Sequence, residues 1–173
     1  MKKINLVYST LLVVLISLFG CRPSPEDAGV YNEKVVLIQE ELALKVKNLN
    51  DQFNTFDNEK IKKAMEELKT ELDKSEKSAA KLTAFDDKTE LKDSLIAYIN
   101  ATKAVFEKEY TEMANIYKLP EESWDKELED KFNTFKNSAV GIYTGAFENL
   151  KTAENEFAEK YNIKLVNIKE IEK

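Results

Sequence analysis

A chain of 173 residues with 32 acidic against 26 basic residues, no histidine and a single cysteine excludes several classes at once. Net acidity disfavours nucleic acid, which rewards clustered Lys and Arg; the missing histidine removes the usual general base and the commonest metal ligand; one cysteine cannot close an internal disulfide. Three prolines and four glycines are too few for the turns of an all-β domain, whereas Glu, Lys, Leu and Ala, all strong helix formers, abound, so an all-α fold is predicted.

Met1-Lys2-Lys3 is a positively charged start, followed by the apolar stretch from Ile4 to Phe19 and by Gly20-Cys21. That is the layout of a secretory signal. A permanent membrane span needs about 20 predominantly apolar residues. This stretch is slightly short and carries Asn5, Ser9, Thr10 and Ser17, which makes a span the weaker expectation. Leu18-Phe19-Gly20-Cys21 resembles the lipobox of bacterial lipoproteins, with Leu three residues before the cysteine and Gly just before it. The resemblance implies that residues 1–20 are a signal peptide and that the Cys21 thiol receives a diacylglycerol. It also implies that the amine freed by cleavage is acylated. Each buried CH₂ contributes about 0.8 kcal/mol, so one acyl chain holds marginally and two or more hold stably. Arg22 stands where Asp is the inner-membrane retention signal of enteric bacteria, which favours the outer membrane.

Residues 21–26, with Pro23 and Pro25, form a short, stiff lipidated tether. Without Lys2 and Lys3 the chain has 24 basic against 32 acidic residues, a net charge of −8. Membrane attachment is therefore expected from acyl chains on Cys21 and not from attraction to anionic lipid.

Residues 27–161 carry four helical stripes. Ser24-Pro25-Glu26-Asp27 reads as a helix start: a capping serine, proline at the first position, then acids at the positive end. Tyr31, Val35, Ile38, Leu42, Val46, Leu49, Phe53 and Phe56 follow at spacings of three and four, one face of a helix ending near Phe56. Asp57-Asn58-Glu59 supplies the next cap. Ile61, Met65, Leu68, Leu72, Ser75, Ala79 and Leu82 then alternate four and three, the signature of coiled-coil-like packing. Phe85-Asp86-Asp87-Lys88 reads as a turn. A third helix starts near Thr89, with Leu91, Leu95, Tyr98, Thr102, Val105, Met113 and Ile116 as its stripe, and Leu119-Pro120 ends it.

Ser123 is the predicted cap of the fourth helix. Its stripe runs Trp124, Leu128, Phe132, Phe135, Ala139, Ile142, Ala146, Leu150, Ala153 and Phe157 to about Tyr161, with a bend near Gly141 and Gly145. The tail, 162–173, is expected to dock through Ile163, Leu165 and Ile168. Long amphipathic helices joined by short loops predict an antiparallel up-down-up-down four-helix bundle. In layout, and in the ending from Phe157 to Ile163, the chain resembles small helical surface lipoproteins, a family that brings no assigned chemistry. Lys47, Leu49, Asp51, Phe53, Asn54, Thr55, Phe56 and Asn58 recur 79 residues later, from Lys126 to Asn137. Chance similarity in a composition-biased helical chain explains this echo slightly better than a duplicated hairpin.

No catalytic, cofactor or metal site is predicted. There is no Gly-rich phosphate loop and no G-x-S-x-G elbow. Glu66-Glu67, Asp86-Asp87 and Glu121-Glu122 are adjacent acids. Neighbours in sequence point about 100° apart on a helix, so such pairs do not converge. Tyr98, Tyr110, Tyr117, Tyr143 and Tyr161 are candidates for an interface, where Tyr is favoured. The expected function is a lipid-anchored, non-enzymatic binding or surface module of the cell envelope. It is attached to the membrane through Cys21 and faces an envelope protein partner. The alternatives are a ligand-binding bundle with an apolar groove and a carboxylate-dependent envelope enzyme.

Overall fold

The computed structural model describes residues 23–165, and among them it is all-helical, with no strand. Cys21 and the signal segment lie outside the described residues, as does Ile168 of the tail. The helices are α1 (Pro25–Phe53), α2 (Asn58–Lys81), α3 (Glu90–Val105), α4 (Thr111–Tyr117) and α5 (Lys126–Tyr161). A π-helical turn, Phe106–Tyr110, joins α3 to α4, so that the two make one long helical segment. A 3₁₀ turn, Glu121–Ser123, precedes α5.

The start of α1 is a reciprocal capping box. Ser24 Oγ accepts from the Asp27 amide at 3.1 Å, and the Ser24 amide donates to Asp27 Oδ2 at 3.0 Å. Two orphan donors of the first turn are thereby satisfied, and Pro25 sits where no amide is needed. The Ser24 hydroxyl, which donates to Asp27 Oδ2 at 2.7 Å, and the Ser24 amide hold the Asp27 carboxyl below its ordinary range. The helix thus takes Pro25 and Glu26, which the sequence assigned to the tether. Asp57 caps α2 by accepting from the amides of Glu59 and Lys60, both at 3.1 Å. Asp125, not the predicted Ser123, caps α5: its Oδ1 accepts from the Leu128 amide at 2.9 Å. Trp124 consequently lies in the connection before the helix. At the other end of α5 the Ile163 amide reaches the Ala158 carbonyl at 3.0 Å, and the Asn162 amide the Glu159 carbonyl at 3.3 Å. With Asn162 at φ 52° this is a Schellman closure.

The predicted stripes of α1 to α4 form the core: Val35, Leu42, Leu49, Leu68, Leu95, Tyr98 and Met113 are fully buried or nearly so. Three expectations about buried side chains fail. Phe56 leaves its stripe because α1 ends at Phe53 and the chain turns through a left-handed residue. Ile142 faces outward, and Tyr143 packs inward in its place, four residues after buried Ala139. Leu165 stays exposed instead of docking. The helix runs through Gly141 and Gly145 without interruption, with open space around both.

The π turn corrects a phase error in the sequence. A regular helix continued from Val105 would bury positions 109 and 112, which are Glu109 and Glu112. The wide turn adds one residue and brings Tyr110, Met113 and Tyr117 into the buried set beside Ile116, while Glu109 stays buried within the turn itself. Thr111 Oγ1 donates to the Phe106 carbonyl at 2.9 Å, within the widened turn.

Two aromatic clusters mark opposite ends of α1. Near its start, Tyr31 contacts Phe85 and Phe157 with ring centroids 5.1 and 5.7 Å apart, and Tyr161 meets Phe85 edge-on at 5.0 Å. The Tyr31 hydroxyl donates to the Thr83 carbonyl at 3.0 Å. Phe85 is placed by a two-residue turn in which Phe85 and Lys88 exchange both backbone hydrogen bonds at 2.9 Å. Asp86 and Asp87 have φ of 53° and 56°, the signature of a type I′ turn, and Asp tolerates it better than most residues. Near the end of α1, Phe53 meets Tyr110, Tyr117 and Phe132 at 6.0, 5.7 and 6.1 Å. Phe53 and Phe132 are the equivalent positions of the sequence echo. One copy leaves the helix after Phe53, while the other stays helical through Asn137. Ion pairs link the rods: Lys45 to Glu67 at 3.0 Å, Lys74 to Glu41, and Lys103 to Glu76 at 2.7 Å.

Candidate functional site

Cys21, the one residue to which the sequence assigns chemistry, lies outside the described residues. Among those described, the most distinctive surface is at the end of α1 remote from residue 25. There α1 stops, and Thr55 folds back by donating its Oγ1 to the Gln52 carbonyl at 2.8 Å. Phe56 follows at φ 55°, a region that a bulky aromatic rarely occupies and that costs on the order of 1–2 kcal/mol. The residue is 70% exposed. A strained backbone that holds an apolar ring in solvent gains nothing for the core.

Two more rings meet it. Tyr117 is anchored because its hydroxyl donates to the Phe53 carbonyl at 2.6 Å, which satisfies one of the carbonyls left free where α1 ends. Burial pushes the Tyr117 hydroxyl above its ordinary pKa. Trp124 is held in the loop before Asp125 and packs on Tyr117, with centroids 5.3 Å apart. Phe56 stands 5.4 Å from Tyr117 and 6.4 Å from Trp124. The three ring planes are inclined to one another by 57° to 66°, so they enclose a corner instead of stacking. With Leu119 and Asn58 they line a hollow of about 480 Å³. Asp57, Glu59, Glu122 and Asp125 flank these residues in sequence, against Lys60 and Lys118. Lys60 is paired with Asp57 at 3.2 Å, and Lys118 donates to Asn115.

A second polar feature lies inside. The Tyr98 and Tyr143 hydroxyls are 3.1 Å apart, and burial drives the Tyr98 hydroxyl far above its ordinary pKa. Tyr110 is likewise pushed up to about 12 by burial. Gln39 is 1% exposed, with neither side-chain polar atom bonded to another described residue. Two carboxylates are fully buried or nearly so. Glu109 accepts from Ser138 Oγ at 3.1 Å and pairs with Lys108. Glu154 accepts from Lys151 Nζ at 2.8 Å, and its pKa is raised by burial. Ser138 and Glu154 are 16 residues apart on α5, roughly 24 Å of helix, so these carboxylates belong to different places.

Two of the acids singled out from the sequence are engaged structurally. Glu67 pairs with Lys45, whose hydrogen bond lowers its pKa. Asp86 accepts from the Tyr161 hydroxyl at 3.0 Å. Among the described residues no group of three acids, cysteines or histidines is placed to hold a metal ion. None of their helices is long and apolar enough to cross a membrane. Of the five tyrosines singled out, Tyr117 lines the end hollow. Tyr98, Tyr110 and Tyr143 pack into the core, and Tyr161 joins the opposite cluster.

Sequence reasoning placed Phe56 in the core. The signal that could have corrected it is the run Asp57-Asn58 immediately after, which ends one helix and caps the next. On the outer face of α1, Val30, Leu37 and Leu44 are exposed at seven-residue steps, a narrow ridge beside Glu33, Lys34, Glu40 and Glu41. No family model matches the chain, and neither a curated protein nor a solved structure matches it.

Proposed function

We propose that the protein is a lipid-anchored, non-enzymatic binding module of the bacterial cell envelope, tethered through acylated Cys21 and favouring the outer membrane. Its four helical segments run up-down-up-down, antiparallel. The observation that carries the binding role is the aromatic hollow around Phe56. It lies at the end of α1 away from the chain's entry at Pro25, across 29 helical residues or roughly 43 Å. A tether on Cys21 then holds one end of the rod at the bilayer and presents the other outward. The antiparallel arrangement is supported by the two aromatic clusters. One joins the start of α1 to the end of α5; the other joins the end of α1 to α4 and the start of α5. A carboxylate-dependent enzyme is the weaker reading: of the three buried acids, Glu109 and Glu154 belong to different places, and Glu71 is tied with Glu41 to the Lys74 ammonium.

The anchor is tested by expressing wild type and Cys21→Ser with an alkyne-tagged fatty acid. The wild type should carry the label and partition into detergent, and Cys21→Ser should do neither. Equal partition of the two sinks the lipid reading. The helix arrangement is tested by zero-length carbodiimide cross-linking, which should join Lys45 to Glu67, Lys74 to Glu41 and Lys103 to Glu76. Cross-linking in the native envelope then identifies the partner.

A further inference from the structure

We infer that the hollow formed by Phe56, Tyr117 and Trp124 is an aromatic cage for a quaternary ammonium group of the choline type. The inference extends the binding-module reading by naming a ligand for the presented end, and it is independent of whether Cys21 is lipidated.

Three observations lead to it. The rings are mutually inclined and line one hollow, so a compact cation placed there meets more than one ring at once. An aromatic face carries a negative quadrupole that attracts cations, most strongly for Trp. The flanking charge has the matching sign. In sequence the rings are flanked by Asp57, Glu59, Glu121, Glu122 and Asp125 against Lys60, Lys118 and Lys126, a net negative charge, and Lys60 is paired with Asp57. Finally, Phe56 is held at φ 55° with its ring in solvent, and strain of this kind persists at ligand clamps.

The same lining selects among cations. Among the described residues Asn58 is the only lining side chain that is neither aromatic nor aliphatic, and the Tyr117 hydroxyl is taken up by the Phe53 carbonyl. A primary ammonium or a guanidinium brought there would give up hydrogen bonds to water with almost nothing to replace them. A trimethylammonium group has no N–H to satisfy. It buries methyl groups against the rings and keeps its charge, so its desolvation costs least. The source is either a free choline-type solute or the headgroup of a choline phospholipid in a facing bilayer.

The test uses the full chain with Cys21→Ser, purified in maltoside micelles. Trp124 is the only tryptophan, so its emission reports on the cage. Tetramethylammonium and choline, titrated at constant ionic strength, should change that emission saturably with a Kd of about 1 mM, near −4 kcal/mol. Phe56→Leu keeps the apolar bulk, loses the ring and should weaken binding roughly 3- to 30-fold; Phe56→Tyr should bind like wild type. Asp125→Asn keeps the α5 cap and should weaken binding about 2-fold, more at low salt.

The inference is overturned if 3,3-dimethylbutan-1-ol, the neutral isostere of choline, binds as well. It also fails if ethanolamine matches choline, if Phe56→Leu matches wild type, or if no saturation occurs. Phosphatidylcholine vesicles that reproduce the change, where phosphatidylglycerol vesicles do not, assign the headgroup as source; a response to soluble choline alone assigns the free solute. Loss of lipid labelling at Cys21 would leave all of these outcomes unchanged, so failure of the anchor and failure of the cage are told apart.

Discussion

Replacing Tyr98 and Tyr143 by Phe, singly and together, isolates one buried hydroxyl pair without disturbing its rings. The rings are 5.7 Å apart, and Phe147 packs on both at 6.0 and 6.1 Å, contacts that phenylalanine retains. The two single variants should differ. Tyr143→Phe strands the hydroxyl of Tyr98, a residue with 0% exposure, at a cost of about 1–3 kcal/mol. Tyr98→Phe leaves the hydroxyl of half-buried Tyr143, which water can reach, at a cost of about 0.5–1.5 kcal/mol. The double variant strands neither hydroxyl and should lose about 0–1 kcal/mol, which gives a coupling of roughly 1–2 kcal/mol. Urea unfolding of the full chain, followed by far-UV circular dichroism and by Trp124 emission, measures all four corners, and coincident transitions justify the two-state treatment.

Alkaline pH supplies a second readout of the same pair. Burial raises the folded pKa of Tyr98 above its ordinary 10.0, so above pH 10 the unfolded chain loses a proton that the folded chain keeps. Stability therefore falls as pH rises through this range, and Tyr98→Phe should remove that share of the loss. Losses that add within about 0.3–0.5 kcal/mol would refute the hydrogen bond.

Three further outcomes follow from the caps, the exposed helix faces and the buried acids. Ser24→Ala removes one half of the capping box and should cost about 0.5–2 kcal/mol in urea unfolding, with hydrogen exchange rising in the first turn of α1. Gly141→Ala and Gly145→Ala meet nothing within 4 Å and should each stabilise by about 1 kcal/mol, seen as higher urea midpoints; destabilisation would mean that α5 needs those glycines. Glu154 has a folded pKa raised above its ordinary 4.5, so the wild type loses stability as pH rises through that window. The advantage of Glu154→Gln should accordingly grow as pH rises above about 4.5, and a constant difference would contradict it.

Most of the helical content was legible because its causes are local. The spacing of Val35, Leu42 and Leu49, the serine before Pro25 and the aspartate before Asn58 each act within a turn or two of helix. What stayed hidden depends on residues distant in sequence. Ile142 and Tyr143 both continue a plausible stripe, and only the presence of Tyr98 beside α5 decides that Tyr143 turns inward. Phe56 fits the α1 spacing, yet backbone termination at Phe53 outweighs one more buried ring. The cage was invisible as a cluster because Phe56 and Trp124 come from two separate connections, Tyr117 ends α4, and the three carry no motif. The preference for Asp125 over Ser123 as a cap follows from the 3₁₀ turn that precedes it.

The π turn also sets where the chain can change length. Deleting a residue inside a regular helix rotates everything beyond it by about 100° and turns the buried face outward. Between Phe106 and Tyr110 the chain already holds one residue too many for a regular helix. Removing Lys108, whose side chain is 72% exposed, would place the residues now numbered Tyr110 and Met113 four and seven positions after Val105. That is the spacing of an uninterrupted helical stripe. A single-codon deletion there should leave the hydrophobic register intact, so this five-residue stretch is where the chain can lose one residue and still bury the same face.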